Sequence, residues 1–160
     1  MSETLTHPIP PVFDENSRIL ILGSFPSVKS REQQFFYGHP QNRFWRVLSG
    51  VLNCPVPENV AEKKALLLSR GIALWDVIAR CEISGSADAS IRNAVPNDLT
   101  EILKTGHIER IYCNGGTAAA LYRKYLLPHT GMEAVTLPST SPANARCTVN
   151  DLIEAWSVIR

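Results

Sequence analysis

The chain has 160 residues and a formal net charge of +1, with 44% hydrophobic and 19% charged residues. That length suits one domain around a single substantial core, and the near-neutral charge excludes a polybasic coat protein and an acidic polyelectrolyte alike. No apolar run reaches the ~18 to 20 residues of a membrane span, and "MSETLTHPIPPVFDENS" has neither the basic start nor the apolar centre of a secretory signal. The four cysteines (Cys54, Cys81, Cys113, Cys147) form no C-x-x-C pair, so reduced, packed thiols are expected rather than a zinc or iron–sulfur site.

Residues 1–17 read as a polar lead-in punctuated by proline, packed through Ile9, Val12 and Phe13, and residues 18–160 as the domain proper. "SRILILGSFP" predicts a strand: it is apolar without alternation, as for a strand covered on both faces, and Gly23 and Pro26 stop it. About a dozen mixed polar residues follow, then Tyr37, Gly38, His39, Pro40, Asn42, Phe44 and Trp45 crowd together. "NRFWRVLSGVL" has apolar residues at three- and four-residue spacings and predicts a helix. "ENVAEKKALLLSRG" predicts another, with Gly71 just past its end. "IALWDVI" is a buried strand running into Asp76, and "RCEISGSADASIRNAVPND" reads as a long loop.

"DLTEILKTG" predicts a helix capped near Asn97 or Asp98. "HIERIYCNGG" predicts a strand and "TAAALYRKYL" the helix after it. "MEAVTLPSTSPANA" is a last strand, broken by Pro138 into a turn-rich loop, and "TVNDLIEAWSVI" is a closing amphipathic helix. Strand and helix alternate four times, which predicts an α/β fold: a three-layer α/β/α sandwich on a mainly parallel four-stranded sheet. In such sheets ligands bind at the carboxyl ends of the strands. The loops beginning at Gly23, Asp76, Asn114 and Pro138 are therefore expected to converge on one site.

The ordered set "LGSFPS", "YGHPQNRFW", "ALWDV", "SIRNAVPNDL", "NGGTA" and "LPSTSPANA" resembles the uracil-DNA glycosylase superfamily, and most closely its hypoxanthine-DNA (deoxyinosine) glycosylase branch. The resemblance runs from about Arg18 to the C-terminus. Two positions depart from the superfamily pattern. Phe25 stands where a first-motif acid or amide handles water, and Leu137 stands where the second motif begins with His or Asn. Both departures are features of the hypoxanthine branch.

The resemblance implies hydrolytic excision of hypoxanthine from DNA, leaving an abasic site, with no metal and no cofactor. The nucleotide must be flipped out of the stack and its base read along the Watson–Crick edge. Asn42 is the expected water-positioning residue, with a helix cap as its structural alternative. Gly23, Ser24, Phe25, Tyr37, Asp76 and Asn114 are the expected base-binding set, Tyr37 as the stacking platform and Phe35, Phe36, Phe44 and Trp45 as packing. A carboxylate at Asp76 would accept from the N1–H of hypoxanthine and disfavour adenine, whose N1 is an acceptor. Ser139, Thr140, Ser141, Pro142, Ala143, Asn144 and Arg146 are expected on the DNA, with Lys29 and Arg31 as further phosphate contacts. His39 is expected to support the loop rather than to shuttle protons.

The expected partner is double-stranded DNA carrying a deaminated base, with single-stranded DNA in the wider reading. The protein would act as a monomer, away from membranes, in the cytoplasm (on the nucleoid if prokaryotic). Lys29 is the sole lysine of the active-site loops, which argues for a monofunctional enzyme. Two other readings stay open: a uracil or mismatch-uracil glycosylase, since uracil also offers an imide N–H, and a non-catalytic damaged-DNA-binding module.

Overall fold

The computed structural model describes residues 3–83 and 91–160, the side chains of Glu3, Val28, Lys29 and Ile83 excepted. In chain order it forms β1 (Glu3–Thr6), β2 (Ile19–Gly23), α1 (Val28–Gln33), α2 (Phe44–Leu52), α3 (Val60–Ser69), β3 (Ile72–Asp76), β4 (Ile78–Ile83) and β5 (Arg92–Pro96). It continues with α4 (Thr100–Thr105), β6 (Arg110–Asn114), α5 (Gly116–Tyr125), α6 (Leu127–Thr130), β7 (Ala134–Leu137) and α7 (Val149–Trp156), which ends in a 3₁₀ turn. Among the described residues no helix is long and apolar enough to cross a membrane.

The four strands expected from apolar runs lie side by side in the order β3-β2-β6-β7, every pairing parallel. β2 is continuous in apolarity because both of its faces are covered. Ile21 packs into a cluster with Phe44, Val47 and Leu48 of α2, Leu67 of α3, and Leu152 and Trp156 of α7. Leu20 and Leu22 point into a second cluster with Ile102 of α4 and Ala118 and Tyr122 of α5. Three layers follow directly from that alternation of facing. The chain moves from β2 to β3 on one side, then to β6 on the other. Such a reversal opens a crevice at the carboxyl ends of the strands.

Two expectations need correction. The long loop expected over "RCEISGSADASIRNAVPND" is in part a second sheet: β4 pairs antiparallel with β1 and with β5. Residues 84–90 of that stretch lie outside the described residues. Its Ser, Gly and Asn content masked the strands, because a half-exposed pair with irregular register at Arg80 lacks the continuous apolarity of the central strands. The polar stretch after β2 also contains a short helix, α1, capped by the Ser27 hydroxyl, which accepts from Ser30 N–H at 3.1 Å.

The N-terminal lead-in is tied into both sheets. β1 supplies an edge of the small one, and Val12 exchanges backbone hydrogen bonds with Leu74 of β3 at 3.0 and 2.9 Å. Ile9 and Val12 are buried. The segment leading into Val12, with Pro8, Pro10 and Pro11 restricting its backbone, runs past the edge of β3 and covers it.

Candidate active site

All four central strands end at one cleft of about 250 Å³. β2 and β3 finish in register, Gly23 opposite Asp76, and β6 and β7 finish with Asn114 opposite Leu137. The cleft is lined by Gly23, Ser24, Phe25, Tyr37, Asn42, Asp76, Asn114, Ser139, Thr140, Ser141 and Ala143, joined by Pro26, Ser27, Ser30 and Phe36. The structure thus brings together eleven of the fourteen expected site residues. Pro142, Asn144, Arg146 and the supporting His39 are not among its lining residues.

Asp76 forms one wall. Its side chain is 5% exposed and that of His7 3%, and His7 Nε2–H donates to Asp76 Oδ2 at 2.8 Å. The Ile9 N–H donates to His7 Nδ1 at 3.1 Å, which puts the imidazole proton on Nε2. The other carboxylate oxygen, Oδ1, lies against the Cα of Gly23. A Cβ on Gly23 would run into Asp76 Oδ1 and come within 2.9 Å of Tyr37 Oη. Gly23 is therefore required for close approach. The Asp76 backbone is also held, its carbonyl accepting from Asn97 Nδ2 at 2.8 Å. Asn97 thus supports the Asp76 backbone, while Asp98 Oδ1 accepts from the Thr100 N–H at 2.9 Å just ahead of α4, whose N-cap is Leu99.

Tyr37 sits at φ +54°, a left-handed conformation uncommon for a bulky residue. It turns the ring onto Phe44, stacked at 4.1 Å with 17° between planes. The following Gly38 N–H is anchored on the Ser30 hydroxyl at 3.0 Å. Phe25 is buried and meets the His7 ring edge-on at 5.8 Å. Phe35, Phe36, Phe44 and Trp45 are all core residues.

Asn42 stands just before α2. Its Oδ1 accepts from the Phe44 N–H at 2.9 Å and from the Thr140 hydroxyl at 2.9 Å. Those two donors occupy both lone pairs of the amide oxygen, so the group Asn42 can offer the cleft is Nδ2–H₂. Thr140 is fully buried. Asn114 clamps it twice, Oδ1 accepting from the Thr140 N–H and Nδ2 donating to Thr140 Oγ1, both at 3.0 Å. The proton order is therefore set: Asn114 donates to Thr140, and Thr140 donates to Asn42.

The loop from Ser139 to Asn144 is built from its own short side chains. Ser139 Oγ accepts from Ser141 N–H and Ser141 Oγ from Ala143 N–H, each at 3.1 Å, and Asn144 Nδ2 donates to Ser139 O at 3.0 Å. Arg43 holds it from beneath. The guanidinium donates to the carbonyls of Thr140, Ser141 (2.7 Å), Asn144 (2.9 Å) and Cys147. Trp156 of α7 adds an indole N–H to Pro138 O at 2.9 Å. Gly115, at φ +97°, turns β6 into α5, and a Cβ there would press on Ser139 at 3.0 Å.

His39 stabilises its own turn, Nδ1 accepting from Gln41 N–H at 3.0 Å. Arg146 is exposed. Arg31 lies 5.8 Å from the Phe25 ring centroid, and the Lys29 side chain is outside the described residues.

Sequence reasoning assigned no site role to His7 or Arg43, nor to the lining residues Pro26, Ser27 and Ser30 or to the Asn97 that holds the Asp76 carbonyl. His7 lies in the proline-punctuated lead-in, 69 positions from its carboxylate partner, and no local pattern signals such a pairing. Arg43 sits inside "QNRFW", between a polar residue and the helix, and nothing in the spacing distinguishes an inward guanidinium from a solvated one.

The Uracil DNA glycosylase superfamily model matches residues 10–160. A protein of Methanosarcina acetivorans described as a hypoxanthine DNA glycosylase is 38% identical over 152 residues, covering 94% of this chain and 96% of its own. One of Methanosarcina barkeri with the same description is 33% identical over 138 residues, covering 86% and 87%. Among solved structures, the solution NMR structure of a candidate uracil DNA glycosylase from M. acetivorans superposes with a TM-score of 0.82 at 33% identity, covering 98% of this chain and 96% of that one. With a matching family model over nearly all of its length and relatives above 30% identity over most of both chains, this protein belongs to the uracil DNA glycosylase superfamily.

Proposed function

We propose that this protein is a monofunctional DNA glycosylase that takes a flipped-out deoxyinosine into the cleft and hydrolyses its N-glycosidic bond, releasing hypoxanthine. The observation that carries the reading is the Asp76 carboxylate on the cleft wall, with Oδ2 engaged by His7 and Oδ1 held against Gly23. An ionised carboxylate only accepts hydrogen bonds. It matches the N1–H of hypoxanthine and opposes adenine, whose N1 is an acceptor. The cleft, about 250 Å³, falls just below the ~300 Å³ where pockets for larger ligands begin. That size suits one base.

Tyr37, backed by Phe44, is the stacking platform. Asn42 Nδ2 holds the attacking water by donating to its oxygen, and a second lone pair of that oxygen reaches C1′. The bond from C1′ to N9 breaks with its electron pair leaving on the purine, which takes a proton from solvent. The water oxygen bonds to C1′ and releases its extra proton to solvent. An amide orients water but does not deprotonate it, so the positively charged sugar of the transition state is reached before the nucleophile is activated.

Double-stranded DNA is the substrate, bound by a single copy of the chain. The Ser139 and Ser141 oxygens already accept backbone N–H groups, which leaves their hydroxyl hydrogens to donate to phosphate. Pro142, Ala143 and Arg146 are exposed and form the rim that meets the duplex. In a prokaryotic cell the enzyme would work in the cytoplasm, on the nucleoid.

The test is single-turnover base release from duplexes holding one deoxyinosine or one deoxyuridine, with wild type and Asn42→Ala. The reading expects hypoxanthine release to exceed uracil release, and a drop of about 10²-fold or more in the variant with duplex binding retained. A uracil rate higher by orders of magnitude would make it a uracil glycosylase. Tight binding without release of either base would make it a binding module.

A further inference from the structure

Asn42, Thr140, Asn114, Ser139 and Ser141 are positioned by one another and by neighbouring residues of the motif loops. Asp76 differs: its carboxylate is oriented by His7 from the N-terminal segment. The His7 ring is fixed on all sides: Phe25, Phe36 and Trp75 surround it with centroids at 5.8, 6.1 and 6.2 Å. Its backbone N–H donates to Ala79 O at 2.7 Å, its Nδ1 accepts from Ile9 N–H, and Trp75 Nε1–H holds the Ile9 carbonyl at 3.0 Å. A ring so constrained presents Nε2–H in one direction, and Asp76 Oδ2 stands there.

We propose that His7 is a specificity-determining positioning residue: its Nε2–H pins Asp76 Oδ2 so that Oδ1 meets the flipped base as an acceptor only. The inference rests on Asp76 reading the base, as above, and adds why that reading is strict. An ionised carboxylate accepts at both oxygens, but one free to rotate would aim neither of them steadily at the N1 position of the base. With an N–H directed at Oδ2, the carboxylate is held in one rotamer with Oδ1 toward the cleft, so the normal base finds acceptor against acceptor. His7 touches neither base nor sugar. It acts through the carboxylate.

Two amide substitutions separate this role from a scaffolding one. In His7→Gln the side-chain NH₂ falls where Nε2 stands and keeps the donor to Asp76. In His7→Asn the side-chain oxygen falls where Nδ1 stands, keeping the acceptor for Ile9 N–H and losing the donor. The measurement is single-turnover release of hypoxanthine from a deoxyinosine duplex and of adenine from the matched normal duplex, for both variants in wild-type and Asp76→Ala backgrounds.

The proposal expects His7→Gln to stay near wild type. His7→Asn should lose roughly 10- to 100-fold on deoxyinosine, the weight of one hydrogen bond to a charged group, and narrow the ratio of hypoxanthine to adenine release. That loss should vanish once Asp76 is Ala. It is overturned if Asn works and Gln does not, since the ring would then only anchor the lead-in, or if the His7→Asn loss multiplies with that of Asp76→Ala. If His7→Asn does not fold, a folded His7→Gln protein that has lost release overturns it equally. Wild-type release by Asp76→Ala alone is a different failure: it removes the base-reading role of Asp76, and the positioning role with it.

Discussion

Replacing Thr140 by Val tests whether the Asn42 amide is held in one orientation. Thr140 is fully buried and its hydroxyl bridges Asn114 Nδ2 at 3.0 Å to Asn42 Oδ1 at 2.9 Å. Val keeps the branched shape and removes both hydrogen bonds, each worth about 0.5–1.5 kcal/mol between neutral groups. The Asn114 donor, half-buried, then lacks its partner, which adds part of the ~1–3 kcal/mol of an orphaned polar group. The sum is about 2–3 kcal/mol, a fall in Tm of roughly 4–12 °C for a chain of this size.

Asn42 would retain only the Phe44 N–H and could swing about it, lowering single-turnover release about tenfold, since misorientation of a positioning group costs rate steeply. Thr140→Ser is the control: it loses one buried methyl, about 1 kcal/mol, and keeps the proton chain. Urea unfolding and base-release kinetics on the three proteins decide it. Val and Ser variants alike in both stability and rate would refute the chain from Asn114 through Thr140 to Asn42.

Gly23→Ala puts a methyl against Asp76 Oδ1 and 2.9 Å from Tyr37 Oη; we expect about 1–3 kcal/mol of overpacking strain and a disproportionate loss of release, measured by thermal melts beside single-turnover assays. Arg43→Lys should destabilise by about 2 kcal/mol or more, because one ammonium cannot serve four carbonyls set for a planar fork. It should also weaken duplex binding by anisotropy, whereas exposed Arg146→Ala should leave the melt unchanged and lower the salt slope by about 1. Burial pushes the Cys113 thiol up to about 12, with Arg123 opposing weakly. Its thiolate is thus negligible at pH 8, and mass spectrometry after iodoacetamide should find half-buried Cys54 and Cys147 alkylated first; early labelling of Cys113 in folded protein would contradict that burial.

The central sheet was legible because its strands are covered twice. Ile19–Gly23, and Ile72–Asp76 up to its terminal Asp76, can be continuously apolar only if helices lie on both faces, and the intervening helical periodicities supply those helices. The small sheet was not legible. β4 and β5 carry Arg80, Glu82, Arg92 and Asn93, none of them buried, and β1 joins them from the far end of the chain. Edge pairings of this kind are set by what the remote segment reaches, and strand propensity is too dependent on context to announce them.

The site divides along the same line. Gly23, Asp76, Asn114 and Ser139 could be assigned to one edge from chain order alone, since parallel strands must end on the same side. The sequence by itself determined the layered fold, the common edge and the identities of the groups that crowd there, because hydrophobic period and turn chemistry act over a few residues. Only the tertiary structure decided which atoms of those groups remain for a substrate. Asn42 has its oxygen taken by Thr140, 98 positions away, and Asp76 has one oxygen taken by His7, 69 positions away. A hydrogen bond needs its partners within about 3 Å in a set direction, and no local pattern in a chain encodes a distance between segments that far apart.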